Sequence, residues 1–321
     1  MSEIADFLAC PYPHRAGLAL SADGRLGCRD PECPCSLEND GFLHYRGVPV
    51  LIDFSGDTLC ERERYIDSAG ERDVYVKRRI GGLKTMVERM TGAQSPVTMR
   101  NCARFVSEIK AISAEPRVLI IGSGEQGQGT VDLWEDPSIE RVGIDIYPTI
   151  TTNYIADAHQ MPFRDASFDG VWIQAVLEHV ADPARVVAEI ERVLRAGGVV
   201  YAETPFMQQV HEGAYDFQRF SVTGHRFLFR RFNALAIGGN KGPGVVLAWA
   251  IRYFIWGLFR SRKLAVLISY PALIVLRLLD KLMDPRALWD GPSGVFFLGQ
   301  KSGGASMPQR DLPGLYEGFQ R

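Results

Sequence analysis

An apolar run that breaks into glycines constrains the fold of this chain more than any other feature. It reads VLIIGSGEQGQG from Val118 to Gly129, and Gly122, Gly124 and Gly127 spell G-x-G-x-x-G. Such a run is typical of a buried strand followed by a tight turn, where the backbone approaches a ligand. The match alone is a weak signal, because it fits a dinucleotide site, another cofactor site or a plain turn. The residues that follow must decide what the loop holds.

The chain after this loop alternates between strand and helix patterns. The segment 182–198 predicts a helix, with Asp182 as its N-cap, Pro183 in its first turn and Gly197–Gly198 as its C-terminal stop. Alternating units of this length indicate a parallel sheet covered by helices on both faces. Six short apolar runs predict its strands, at 117–121, 141–145, 153–157, 168–174, 198–204 and 294–301.

Five short motifs follow the glycine loop in a fixed order. They are Asp157-Ala158, Met161-Pro162-Phe163, S-F-D at 167–169, V-L-E-H at 176–179 and R-V-L-R-A-G-G at 192–198. In these motifs and their spacing, the segment 117–205 resembles class I S-adenosylmethionine (SAM)-dependent methyltransferases of the type 11 group. The resemblance implies an α/β, SAM methyltransferase Rossmann-like fold with a doubly wound, mostly parallel seven-stranded sheet. It also implies that the loop holds SAM and not NAD.

The resemblance implies which residues hold the cofactor. The loop glycines approach the methionine part, the acid at the end of the second strand holds the ribose, and Asp157 binds the adenine amino group. Ile120 stands where the family usually has an acid, and Glu125 is our candidate to supply that charge. The third glycine is also shifted by one residue, to Gly127. The expected cofactor contacts are Gly122, Gly124, Glu125, Asp145, Ile146, Asp157, Ala158 and Gln174.

The segment 203–229 is rich in groups that contact ligands, and it leaves the fifth strand at the edge where open α/β sheets bind them. Its His-Glu pair and Asp-aromatic-x-Arg-Phe run resemble type 11 relatives that act on cell-surface sugars or lipid-linked substrates. We expect His211 and His179 as catalytic bases, because the pKa of histidine suits removal of a hydroxyl proton. The expected substrate contacts are Glu212, Tyr215, Asp216 and Arg219. For Asp216 and Arg219 the alternative is a salt bridge that orders the loop.

The N-terminal segment concentrates cysteine. Four of the six cysteines lie in the first 35 residues, and no signal-peptide pattern precedes them, which favours metal over disulfides. The segment resembles small zinc-ribbon proteins that accompany or activate methyltransferases, most clearly in Gly47–Leu51, although Pro13 replaces one cysteine of the first knuckle. A zinc-ribbon-like β module with one structural zinc is one reading, and a metal-free remnant is the other. The candidate ligands are Cys10, His14, Cys28, Cys33 and Cys35.

Two apolar segments, 245–259 and 264–279, are joined by the basic turn RSRK and predict a helical hairpin. Each is shorter than the roughly 20 residues that span a bilayer. Eight Lys/Arg against two Asp give 241–286 a charge of +6, so the rest of this −2 chain carries −8. A hairpin lying on an anionic membrane surface fits this pattern. The alternative cover is the domain itself or a second copy of the chain in a homodimer.

These observations predict six parts of the chain. A zinc-ribbon-like module (1–55) and a helical linker (56–113) precede the SAM-binding core (114–240). The apolar basic hairpin (241–286) is inserted before the last strand, and a flexible tail ends the chain. The last two boundaries are 287–301 for that strand and 302–321 for the tail.

The sequence thus predicts a cytoplasmic methyltransferase at the inner face of the membrane. It transfers a methyl group to O or N of a small or lipid-linked acceptor, such as an envelope glycan, a glycolipid or a quinone precursor. Three alternatives stay open: a non-catalytic SAM-binding scaffold, an RNA methyltransferase with a zinc module, and an NAD oxidoreductase. We expect no nucleic-acid partner, because the chain outside the hairpin is acidic.

Overall fold

The computed structural model describes residues 5–66, 95–304 and 306–321. The middle of the predicted 56–113 linker, 67–94, lies outside the described residues. In the N-terminal module, β1 (Leu18–Leu20) pairs with β2 (Leu26–Cys28), and β3 (His44–Tyr45) pairs with β4 (Val48–Pro49), both antiparallel.

A seven-stranded sheet forms the centre of the described chain, in the order β10-β11-β9-β8-β5-β6-β7. Strand β11 runs antiparallel to both of its neighbours, and the remaining pairs are parallel. The predicted mostly parallel seven-stranded sheet is therefore confirmed. Its strands are β5 Arg117–Ile121, β6 Glu140–Asp145, β7 Tyr154–Ile155, β8 Phe168–Gln174, β9 Leu194–Pro205, β10 Phe232–Gly239 and β11 Gly294–Lys301.

The chain enters this sheet at β5, runs outward through β6 and β7, and returns to place β8 on the other side of β5. This reversal is the switch point at which open α/β sheets bind ligands, beyond the carboxyl ends of the strands. The glycine loop leaves β5 at that edge, and the segments that follow β8 and β9 begin there too. The topology therefore gathers the predicted site residues on one edge.

Helices cover the sheet, and their ends follow from local sequence. Helix α1 (Pro96–Ile112) begins at Ser95, whose hydroxyl accepts the Thr98 N–H at 3.3 Å. Its buried face includes Phe105, which packs edge-on against Trp172 of β8 with ring centroids 5.3 Å apart. A Cβ at Gly170 would lie 2.7 Å from the Phe105 ring, so this approach depends on glycine. Helix α2 (Val131–Glu135) lies on the same face of the sheet, and α3 (Pro183–Val193) and α4 (Val222–Leu228) lie on the opposite face.

The predicted start of α3 is confirmed and its predicted end is wrong. Asp182 accepts the Arg185 N–H at 3.0 Å as an N-cap, and Pro183 opens the helix. The helix ends at Val193, before Gly197–Gly198, because β9 already begins at Leu194. Gly197 lies inside the strand with φ +77°, a conformation that glycine adopts without strain.

The N-terminal module packs on the outer edge of the sheet. Leu51 N–H donates to Ile155 O of β7 at 2.8 Å, and Val50 and Ile155 form a parallel bridge. Phe7 and Leu8 share a buried cluster with Phe163 and Phe168 of the sheet domain. The module thus extends the sheet and its core.

Two long helices separate β10 from β11, namely α5 (Pro243–Phe259) and α6 (Arg262–Asp280). They run antiparallel, since the Asp280 carboxylate accepts the Gly244 N–H at 2.7 Å and Arg252 Nε donates to Ser269 Oγ at 3.1 Å. Both carry exposed apolar side chains, among them Phe254, Leu258, Leu267 and Leu278. Across the described ranges, no helix is both long and apolar enough to cross a membrane.

The short helix α7 (Ala287–Asp290) precedes β11, and the tail contacts it. The Tyr316 hydroxyl donates to the Asp290 carboxylate, which also accepts the Phe319 N–H at 2.8 Å. These contacts place part of the predicted tail against the sheet domain.

Candidate functional site

The backbone of the glycine loop lies too close to its neighbours to accommodate side chains at Gly122 and Gly124. Gly122 has φ +76°, and a Cβ there would lie 2.2 Å from a methyl of Val176. Gly124 N–H donates to Asp145 Oδ2 at 2.8 Å, the same distance that a Cβ on Gly124 would have to that oxygen. The loop is therefore fixed against the end of β6 by its own backbone.

Asp145 and Ile146 stand beside this loop as a polar and an apolar surface. Each Asp145 carboxylate oxygen accepts one backbone N–H, from Gly124 and from Tyr147 at 3.1 Å. A carboxylate at this place can accept hydrogen bonds from ribose hydroxyls. The Ile146 side chain is exposed and can cover one face of an adenine ring. These residues fit an adenosine cofactor.

Gln174 closes the floor of the loop. Its amide lies against Gly127, where a Cβ would come within 1.9 Å of Oε1. Its Nε2 donates to Gln128 O at 3.3 Å and to Glu203 Oε1 at 3.4 Å. Glu125 is exposed on the same loop, while the Ile120 side chain is buried in the sheet.

Asp157 lies at the end of β7 but is already engaged by this chain. Its Oδ1 accepts the His159 N–H at 2.9 Å and lies 2.7 Å from the His159 ring, and its Oδ2 accepts the Thr58 hydroxyl at 2.5 Å. These hydrogen bonds, led by that of His159, lower the pKa of Asp157 in spite of its burial. The neighbouring Ala158 is buried. Asp157 thus joins the segment that follows the N-terminal module to the end of β7, a role that the sequence did not reveal.

The two predicted catalytic histidines come together at the carboxyl ends of β8 and β9. His179 Nε2 and His211 Nε2 are 3.2 Å apart. The Glu178 carboxylate lies beneath them, with Oε1 3.7 Å from His179 Nε2 and 3.6 Å from His211 Nε2. Glu178 raises the pKa of His211, and burial opposes it. Sequence analysis gave Glu178 no role of its own, because the family motif V-L-E-H does not show that its carboxylate is buried beneath two histidines.

The predicted substrate contacts surround this pair. Asp216 and Arg219 form the salt bridge that was the alternative, with Arg219 Nη2 2.6 Å from Asp216 Oδ2. Asp216 Oδ2 also accepts the His211 N–H at 2.8 Å, so the bridge orders the loop that carries His211. Tyr215 offers its carbonyl to His179 Nδ1 at 2.7 Å, and its side chain is exposed. Glu212 is exposed and has φ +59°.

A second cluster lies in the N-terminal module. The ligand atoms of Cys10, His14, Cys28 and Cys33 lie within 4.8 Å of one another. Cys10 Sγ is 3.8 Å from Cys33 Sγ and 3.7 Å from His14 Nε2. All six cysteines are thiols. Cys35 lies outside this cluster, contrary to its place among the candidate ligands, because its Sγ faces the Tyr12 hydroxyl at 3.8 Å.

The sheet order and the glycine–acid pair at its carboxyl edge define a class I, SAM-dependent methyltransferase domain. Residues 119–202 match the methyltransferase domain family Methyltransf_11. The cofactor of this domain is SAM, which agrees with the fit of Gly122, Gly124 and Asp145 described above.

Curated relatives match parts of the chain. A ubiquinone/menaquinone biosynthesis C-methyltransferase from Ralstonia pickettii is 29% identical over 161 residues, 48% of this chain and 64% of the relative. The 27-O-demethylrifamycin SV methyltransferase of Amycolatopsis mediterranei is 49% identical over 43 residues, 13% of this chain and 16% of the relative. The chain therefore spans less than two thirds of each of them.

Among solved structures, a SAM-dependent methyltransferase from Archaeoglobus fulgidus is similar to this chain with a TM-score of 0.41 and 17% identity. That similarity covers 68% of this chain and 99% of the other.

Proposed function

We propose that this protein transfers a methyl group from SAM to an oxygen or nitrogen of a small or lipid-linked acceptor. The observation that carries the proposal is the placement of the His179–His211 pair on the same sheet edge as the Gly122–Gly124 loop and Asp145. Methyl transfer needs a nucleophile held in line with the donor, and a hydroxyl nucleophile must also lose its proton. This edge of the sheet offers both residues that can hold the methyl donor and residues that can accept a proton.

SAM supplies an electrophilic methyl group on a positively charged sulfur when it is bound. Gly122, Gly124, Asp145, Ile146 and Gln174 are the residues that would hold it, by the fit described above. Around the acceptor, the Asp216–Arg219 salt bridge fixes the loop of His211, and His179 is fixed by Tyr215 O. The histidine pair and Glu178 are the groups that handle the acceptor proton.

The direct test is calorimetric titration of the purified protein with S-adenosylhomocysteine, with NADH as the control ligand. We expect binding of the former alone. Transfer of label from methyl-labelled SAM to a membrane-extract or quinone-precursor acceptor then tests catalysis. Tight cofactor binding without turnover of any acceptor would support the non-catalytic alternative, which Ile120 favours because the usual acid is missing.

We propose that the N-terminal module holds one structural zinc ion through Cys10, His14, Cys28 and Cys33. Ligands on a tetrahedral zinc with bonds of about 2.0–2.3 Å lie roughly 3.5–3.8 Å apart. The measured 3.7 and 3.8 Å separations agree with that spacing. Backbone N–H groups of Asp30 and Cys35 point at Cys28 Sγ and Cys33 Sγ, each at 3.4 Å, which suits thiolates. Metal analysis of the intact protein tests the assignment.

We propose that the α5–α6 hairpin lies on an anionic membrane surface. Its exposed apolar side chains are accompanied by Arg260, Arg262 and Lys263 at the turn between the helices. Each such charge near an anionic surface contributes about 1 kcal/mol. Changing all three to Gln should weaken binding to phosphatidylserine vesicles by about 100-fold and leave binding to neutral vesicles unchanged. A dimer that buries these helices would instead show concentration-dependent mass and no vesicle binding.

A further inference from the structure

Three ligand atoms converge at the carboxyl edge of the sheet without a hydrogen-bonding pattern that accounts for all of them. The three distances among His179 Nε2, His211 Nε2 and Glu178 Oε1 are 3.2, 3.6 and 3.7 Å. Ligands on one tetrahedral metal ion, at bond lengths of about 2.0–2.2 Å, lie roughly 3.3–3.6 Å apart. The spacing of these atoms is that of a ligand set.

Both histidines are oriented as metal ligands usually are. His179 Nδ1 lies 2.7 Å from the Tyr215 carbonyl, which can only accept, so Nδ1 carries the proton and Nε2 a lone pair. His211 Nδ1 lies 3.4 Å from Asp216 Oδ2, so a carboxylate stands behind this ring as well, although the two atoms do not form a hydrogen bond. Metal-binding histidines typically direct their other ring nitrogen to a carbonyl or a carboxylate in this way.

The Glu178 side chain has no exposed surface, and no described residue donates a hydrogen bond to either of its oxygens. A buried carboxylate without donors is costly unless a cation lies beside it. Both Nε2 atoms are nearer to Oε1 than 4 Å but beyond hydrogen-bonding distance. The carboxylate, to which no described residue donates a hydrogen bond, thus points into the space that both imidazole Nε2 atoms face.

We propose that Glu178, His179 and His211 bind one divalent transition-metal ion, for which zinc is the best match. Two imidazoles and one carboxylate form the ligand set of zinc sites that keep a fourth position open. The histidine side chains are 21% and 31% exposed, so that position can be reached from solvent. An acceptor hydroxyl bound there would release its proton to solvent more readily, and the two histidines would then act as ligands in place of the base role proposed above. This last role rests on the methyl transfer proposed above, whereas metal binding does not.

Cobalt(II) titration of chelator-stripped protein tests the proposal, because the two clusters differ in their spectra. Cobalt on the cysteine cluster gives thiolate charge-transfer absorption, and cobalt on the Glu178 cluster gives ligand-field bands alone. We expect Glu178→Gln and His211→Gln each to lower affinity for the second kind of cobalt by at least about 100-fold, since even outer ligands cost 10–100-fold. The thiolate bands should stay unchanged, as should S-adenosylhomocysteine affinity. His44→Gln, an exposed histidine in β3, is the matched control.

The proposal is overturned if the wild type binds cobalt with thiolate bands only, or if all cobalt binding is indifferent to Glu178→Gln. In that case the cluster is an ion pair between the Glu178 carboxylate and a protonated histidine, and it binds no metal. Circular dichroism establishes that each variant is folded. If cobalt binds the Glu178 cluster but S-adenosylhomocysteine does not bind, the metal site stands and the proposed methyl transfer fails.

Discussion

The two convergent clusters of this chain differ in ligand chemistry and in surroundings. The N-terminal cluster has three sulfurs and one imidazole, and Cys10, Cys28 and Cys33 are buried. The cluster at the sheet edge has one carboxylate and two partly exposed imidazoles. Four ligands complete a tetrahedral site, whereas three leave a position for another molecule. The first arrangement suits a structural part and the second suits chemistry.

The neighbours of each cluster support that division. Around the cysteines, Phe7, Leu8 and Leu26 form a core that continues into the sheet domain. Around the histidines lie loop residues that hold ring orientation, namely Tyr215, Asp216 and Arg219. Changes at the first cluster should therefore alter stability, and changes at the second should alter turnover.

The largest effect is expected from Cys28→Ser. Structural zinc sites contribute about 10–16 kcal/mol of apparent binding energy, and this energy stabilises the folded state because the unfolded chain has no preformed site. We therefore expect the free energy of unfolding to fall by at least about 3 kcal/mol. Urea unfolding with and without a chelator measures this. Cys35→Ser is the matched control, because Cys35 lies outside the cluster. Equal losses in the two variants would contradict the assignment.

The next effect is expected from His211→Gln. Removing a group that handles the acceptor proton should lower kcat by about 10²–10⁴-fold. The His211 backbone N–H still reaches Asp216, so the free energy of unfolding should change by less than about 1 kcal/mol. Label-transfer kinetics measure the change in kcat, and urea unfolding measures the change in stability. An unchanged kcat, or a loss of stability equal to that of Cys28→Ser, would remove the contrast between the clusters.

The sequence predicted strands β5, β8 and β11 well, because strands that are buried on both faces are continuous apolar runs. They begin and end where the apolar runs 117–121, 168–174 and 294–301 predicted. Strand β10 was not predicted individually, since FNALAIGG mixes exposed and buried positions at the sheet edge. The end of α3 was wrong because pairing of Leu194 with Phe168 outweighed the local signal of Gly197–Gly198.

The sequence identified individual candidate residues of the site but not their arrangement in space. His179 and His211 were each candidates, yet they stand 32 residues apart, and only the adjacency of β8 and β9 brings their Nε2 atoms together. The burial of Glu178 is a tertiary property that no local pattern carries. Likewise, only the fold places Cys33 Sγ near Cys10, His14 and Cys28 while Cys35 Sγ faces the Tyr12 hydroxyl.

A smaller effect separates the two acids that were expected to bind SAM. Asp145 lies beside the loop at the place expected for the ribose, so Asp145→Ala should weaken S-adenosylhomocysteine binding by about 10–100-fold, the loss of a charge-assisted hydrogen bond. Asp157 is engaged by Thr58 and His159, so Asp157→Ala should cost less than about 10-fold in affinity. It should instead lower stability, because it removes the hydrogen bond between Thr58 and the end of β7. Calorimetric titration with S-adenosylhomocysteine measures both affinities. Equal losses in the two variants would contradict the difference between the two acids.

The smallest effect concerns a third kind of histidine. His225 of α4 is fully buried beside Phe229, with ring centroids 5.3 Å apart, and no described residue forms a hydrogen bond to either ring nitrogen. Burial lowers its pKa to about 3. Between this value and the ordinary pKa near 6.5, the unfolded chain binds a proton that the folded chain does not. Stability therefore falls as the pH falls through this window.

His225→Leu removes this proton linkage without adding much volume. We expect its free energy of unfolding to depend less on pH than that of the wild type, by up to about 1.4 kcal/mol per pH unit below pH 6. Urea midpoints at pH 7, 6 and 5 measure the difference, with His44→Gln as the exposed control. Parallel curves for wild type and His225→Leu would show that His225 is protonated in the folded protein. A buried charge there would require a partner.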